Sequence, residues 1–245
     1  MGKMSDLMIE NENERAEIWI RERLENNGAD EESEEYKELA DEYYSLQEYL
    51  MEQDELEEEL EWLKDNESSL IHKHFLEELD ELKKLTDASE SFNKKYIIYR
   101  MTYAHAVTLL EAFLGDTAKS LVSENSSFFQ NARQIEELKK ARYSLEYLAT
   151  NEVDAKGLAI KELSNILYHN IPKVKSMFEK ILNSRFEIDI SEIVKITKTR
   201  HDIVHRNGKT KDGEPIYLSQ FAMLEMISHI RIFANNLQAF INKKT

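Results

Sequence analysis

From Lys198 to Gly208 the chain reads Lys-Thr-Arg-His-Asp-Ile-Val-His-Arg-Asn-Gly, a concentration of side chains suited to anion and proton chemistry. Arg200 carries a permanent, planar, forked charge of the kind that binds phosphate through two hydrogen bonds. Imidazole is the side chain whose ordinary pKa lies nearest neutrality, which makes His205 and His201 candidates for proton transfer. Asp202 is a candidate for a supporting role in the same cluster. Arg206, Lys209 and Lys211 follow directly and are candidates for holding a polyanionic backbone. Each residue also has an ordinary reading: an arginine that extends to water, two surface histidines, and a basic turn that suits a helix C-terminus. A metal pair, His201 and His205 at i and i+4, is a further alternative. It lacks an evident third ligand, because Asp202 points about 100° away from His201 on a helix.

These residues need a helix to position them, and the spacing predicts one from Asp189 to Asn207. Asp189 and Glu192 have the spacing of a capping box, and Asn207-Gly208 suits a left-handed C-cap. Ile193, Ile196, Thr197, Ile203 and Val204 fall on one stripe, with Arg200 near its middle. A guanidinium there calls for a partner, since an unpaired buried charge costs several kcal/mol or more, on the order of the fold's own stability. The stripe Val107, Leu110, Leu114, Ala118 and Leu121 of an earlier helix contains Glu111, which is the expected counter-ion of Arg200. The alternative for Glu111 is a carboxylate at the stripe edge that reaches water.

Arg200-His201-Asp202-Ile203-Val204-His205 resembles the Arg, polar residue, three variable residues, His signature of the HEPN superfamily. The continuation Arg206-Asn207-Gly208-Lys209 and the upstream His105…Leu110-Glu111-Ala112-Phe113-Leu114 pattern resemble the same group over roughly Ser89 to the C-terminus. The resemblance implies an all-helical domain and a metal-independent endoribonuclease, a toxin or phage-defence effector. RNA carries its own nucleophile, the 2′-hydroxyl, so no metal or other cofactor is called for. Five residues on a helix separate Arg200 from His205 by about 140°. A two-fold homodimer, as the resemblance implies, sets two arginines and two histidines in one cleft. His201 matches the polar position after the arginine. RNA, a second copy of the chain and an antitoxin or regulatory protein are the expected partners. The competing expectation is a catalytically silent helical binding or scaffold protein that uses the motif for dimer packing.

The rest of the composition agrees with a helical protein. Among 245 residues there are 6 Gly and 2 Pro, with 33% charged residues and no cysteine, which predicts an all-α fold and excludes disulfides and thiolate metal sites. No apolar run reaches membrane-span length, the acidic start is unlike a signal peptide, and Asp6 breaks the myristoylation pattern begun by Met1-Gly2; the expected location is the cytoplasm. Residues 1–85 hold 9 Lys and Arg against 29 Asp and Glu, whereas the remainder holds 23 against 19. Residues 1–88 are therefore expected to form an acidic helical hairpin or arm and 89–245 a HEPN-like helical bundle, divided at Thr86-Asp87-Ala88-Ser89-Glu90. Helices are expected near 5–26, 31–65, 89–121, 134–148, 155–168 and 173–183, one more after Ser68-Ser69, and a last one after Ser219. Asn26-Asn27-Gly28 reads as a turn. The arm reads as a solubilising or dimerising extension, or as a negative shield over a basic site.

Overall fold

The computed structural model describes residues 2–25, 30–150 and 153–245. Among these the chain is all-α, as its composition predicts: eleven α-helices, one 3-10 turn at Ser89–Ser91 and no strand. The expected turn at Asn26-Asn27-Gly28 and the side chain of Leu7 lie outside the described residues. No helix among the described residues is long and apolar enough to cross a membrane.

The helices form two compact units, Met1–Glu59 and Leu60–Thr245. The first contains α1 (Gly2–Arg21) and most of α2 (Glu34–Asp65). Ile20 and Leu24 are its buried centre, and Trp19, Tyr36, Leu39 and Ala40 pack around them. The Tyr36 hydroxyl donates to Glu17, holding that carboxyl below its ordinary range, and burial adds to the same bond in pushing Tyr36 up to about 12. Along α2 the apolar face is only partly covered. Tyr43 is buried, whereas Leu46 and Leu50 are exposed, because the unit supplies too little apolar surface to cover a helix of 32 residues.

The second unit is built around α4 (Lys95–Glu124), against which α3 (Ser68–Ala88), α5 (Ser126–Ala132), α8 (Ala155–Ser164), α9 (Ile171–Ile181), α10 (Ser191–His205) and α11 (Gln220–Ile241) all pack. Leu110, Leu114, Val107 and Ala118 of α4 are fully buried. Gly115 lets the helix meet the Tyr168 ring closely, since a Cβ there would stand 3.1 Å from it.

The compact units divide between Glu59 and Leu60. The physical reason is α3. It buries Ile71, Phe75, Leu79 and Leu82, and Phe75 stacks on Phe113 of α4 with ring centroids 4.6 Å apart. Ser89–Ser91 marks a tight 3-10 corner inside the unit, not a linker. The segment 134–148, expected as one helix, breaks into α6 (Glu136–Lys140) and α7 (Leu145–Thr150). The polar connection after Ser123 holds α5, started by Asn125, whose Oδ1 accepts from Ser127 N at 2.8 Å; Phe128 is buried in it. In α11 the inward face runs through Met223, Met226, Ile230 and Ile241 together with Ile227, Phe233 and Leu237, and Phe221, in its first turn, is 75% exposed.

A chain beginning at Leu60 is expected to melt cooperatively by circular dichroism. A chain beginning at Ser89 is not, because it lacks five buried apolar side chains, Leu63 and the four of α3, worth about 1.5–3 kcal/mol each, against a typical total stability of about 5–15 kcal/mol.

Candidate functional site

Helix α10 positions the motif, and both of its ends are fixed by local chemistry. At the start, Asp189 accepts hydrogen bonds from Ser191 N at 2.8 Å and from Ser191 Oγ at 3.0 Å; these bonds, the backbone one foremost, hold its carboxyl below the usual range. Glu192 pairs with Lys195 at 2.6 Å instead of reaching back, and Asp189 meets Ser191 instead of Glu192 N, so the predicted capping box does not form.

At the end, Asn207 and Gly208 both take left-handed backbone, with φ of 52° and 74°. Gly208 N donates to the carbonyls of Asp202 and Ile203, each at 3.2 Å, as a C-terminal cap requires. The position is also sterically closed, because the Arg100 guanidinium of α4 lies where a Cβ on Gly208 would be. Arg100 Nη1 donates to the Asn207 carbonyl at 3.4 Å. Beyond Gly208 the chain forms a small closed loop, with an isolated antiparallel bridge between Lys209 and Pro215 and Thr210 N donating to Glu214 O at 2.8 Å.

The inward face of α10 is Ile193, Ile196 and Ile203, and Val204 is 47% exposed. The helix is thus turned toward Ile196 and Ile203 compared with the predicted stripe. Tyr103 of α4 donates to the Ile196 carbonyl at 3.5 Å. Burial pushes its hydroxyl up to about 12, so it stays a neutral donor at neutral pH.

This rotation leaves Arg200 at the boundary between core and surface. Among the described residues its Nε is buried without a hydrogen-bond partner, and so is Glu111 Oε1 on α4. The predicted Glu111–Arg200 ion pair is not made.

Arg200 instead lines a groove with Thr197, Lys198, His201 and His205 of α10, and residues 169–172, the α8–α9 turn and the start of α9, form its other wall. The rings of His201 and His205 lie 4.7 Å apart at 43°. Among the described residues the groove lining contains no carboxylate. Asp202 is buried on another side of the helix and holds Arg206 in an ion pair. Arg206 is therefore already engaged, and Arg206, Lys209 and Lys211 are exposed residues outside the groove lining. His105 is likewise exposed outside it. Among the described residues no group of three or more His, Cys, Asp or Glu is gathered to hold a metal ion.

Two groove residues had no role in the sequence reading, His169 and Lys198. The Asn170-Ile171-Pro172 helix break is visible in the sequence, but nothing in the sequence says that it faces α10. Compared with known protein families, curated proteins and solved structures, the chain matches none.

Gly208→Ala is expected to lower stability by about 1–2 kcal/mol from left-handed backbone alone, and more if Arg100 is displaced, read as a lower melting temperature. Glu111→Met is expected to leave the melting temperature unchanged or raise it, because it removes a buried oxygen that has no partner; a drop of several degrees would show that the carboxylate contributes a favourable contact.

Proposed function

We propose that the chain is a metal-independent endoribonuclease of the HEPN type, a cytoplasmic toxin or defence effector, and that the groove beside α10 is its site. The observation that carries this reading is the groove's lining. In a chain of net charge −16, one open surface collects Arg200, Lys198, His201 and His205 and includes no carboxylate. A phosphodiester is the ligand that such a surface favours.

The chemistry follows from RNA's own hydroxyl. One imidazole takes the 2′-hydroxyl proton as the 2′-oxygen bonds to phosphorus, and a protonated imidazole supplies a proton to the departing 5′-oxygen. Arg200 faces the charge that builds on the non-bridging oxygens. The products are a 2′,3′-cyclic phosphate and a 5′-hydroxyl. Homodimerisation around α10 would add the second Arg200 and His205 that the HEPN resemblance implies, and an antitoxin or regulatory protein remains the proposed protein partner. Val204, exposed beside His205, is available to such an interface. Arg206 is better assigned to holding the end of α10 than to binding substrate, since Asp202 already engages it.

A second reading, a catalytically silent binding protein, draws on one observation. The acidic helix α2 exposes Tyr44, Leu50 and Met51, a surface suited to a protein partner. The two readings separate in one assay. Purified protein incubated with mixed RNA and EDTA is expected to release fragments ending in 2′,3′-cyclic phosphate. Arg200→Ala and His205→Ala are each expected to lower the rate by about 10²–10⁴-fold while the oligomeric mass stays the same. No cleavage, or cleavage that survives both substitutions, supports the binding protein instead.

A further inference from the structure

We propose that His169 is a second proton-transfer residue of the same groove, acting from the wall opposite His201 and His205. The inference rests on the ribonuclease reading and assigns a residue that lies outside the Arg200–His205 motif.

In the cleavage step the attacking 2′-oxygen and the departing 5′-oxygen stand roughly in line on opposite sides of phosphorus. The proton acceptor and the proton donor must therefore approach from opposite sides. His201 and His205 cannot divide that work between them within one chain. They sit one turn apart on the same helix, with ring centroids 4.7 Å apart, and so address the same side of a bound phosphate.

His169 comes from the other wall. Its ring is exposed and makes no hydrogen bond or ion pair among the described residues. Its backbone is held firmly. Ile171 N donates to the His169 carbonyl at 3.1 Å, the adjacent Asn170 caps α9 by accepting from Lys173 N at 3.3 Å, and Ile171 is 1% exposed. Pro172 presets the first turn of α9. A fixed backbone carrying a free imidazole into a carboxylate-free groove is the arrangement a general acid or base needs. With the phosphate on Arg200, one imidazole from each wall completes the step: one accepts the 2′-hydroxyl proton as the 2′-O–P bond forms, and the other donates its proton to the 5′-oxygen as the P–O5′ bond breaks.

The test uses the full-length chain and two RNAs of one sequence. One has ordinary phosphodiesters, and the other has a sulfur in place of one 5′-bridging oxygen, a leaving group that departs without a proton donor. On ordinary RNA, His169→Ala and His205→Ala are each expected to slow cleavage by about 100-fold or more. On the sulfur-bridged RNA one of the two is expected to recover most of its rate and the other is not, which assigns acid and base. A His169→Ala enzyme that cleaves ordinary RNA at the wild-type rate overturns the proposal and leaves the ribonuclease reading intact. A second measurement is independent of turnover: the imidazole resonances of histidine-labelled protein, titrated with an uncleavable 2′-O-methyl oligonucleotide. The ring signals of His169 are expected to shift together with those of His201 and His205. If only the α10 pair shifts, His169 has no part in the site; if none shifts, the groove does not bind RNA and both readings fall.

Discussion

The burial of the second half of α4, from Phe113 to Val122, around nearly its whole circumference is the constraint on which the rest of the larger unit depends. An amphipathic surface helix hides one stripe, whereas α4 hides Tyr99, Tyr103, Val107, Leu110, Leu114 and Leu121 and also the polar Thr102, Thr117 and Ser120. A helix that is apolar on all sides must be enclosed by others. Six helices supply that enclosure, and their positions follow from the need to cover it. Each fully buried leucine contributes roughly 1.5–3 kcal/mol, so the central helix and its cover account for a large share of the gross stabilisation. Thr102 Oγ1 and Thr117 Oγ1, buried without partners, show that coverage is bought at some expense in hydrogen bonding.

The candidate site is a by-product of this enclosure. Helices α9 and α10 both lean on α4 and on each other, and the groove lies where the start of α9 and the outer side of α10 diverge. The motif's end is tied to α4 directly, because Arg100 packs on Gly208. The cations of the motif thereby acquire different roles. Arg206 is neutralised by Asp202, while Arg200 has a buried, unpartnered Nε and faces the groove. An unpaired buried donor is costly, and among the described residues Arg200 Nε has no partner to offset that cost.

Charge is distributed along the chain in the same sense. Residues 1–59 contain 22 Asp and Glu against 5 Lys and Arg, and residues 60–245 contain 26 against 27. The acidity belongs to the first compact unit, and the unit with the groove is close to neutral. The larger unit is thus nearly balanced in charge, and the groove beside α10 is basic through its local lining and not through a globally basic surface.

Much of this was legible in the sequence, and the limit has a physical form. Few glycines and prolines and abundant helix formers determined an all-α chain; Asn207-Gly208, Asn170 with Pro172, and Ser219 determined where three helices end or begin, because caps are local chemistry. The grouping of Arg200, His201 and His205 was likewise local, since helical spacing alone brings them near one another. Rotations and pairings were decided only by the tertiary structure. A helix period locates an apolar stripe to within a residue or so, and that margin separates the predicted stripe of α10 from the observed one, exposes Val204, and parts Arg200 from Glu111. The boundary expected after Ala88 followed a break in local propensity, whereas the compact unit begins at Leu60 because α3 stacks Phe75 on Phe113, a contact between residues 38 positions apart. His169 shares a groove with Arg200 only because α8, α9 and α10 close around α4, and no local pattern of residues encodes that meeting.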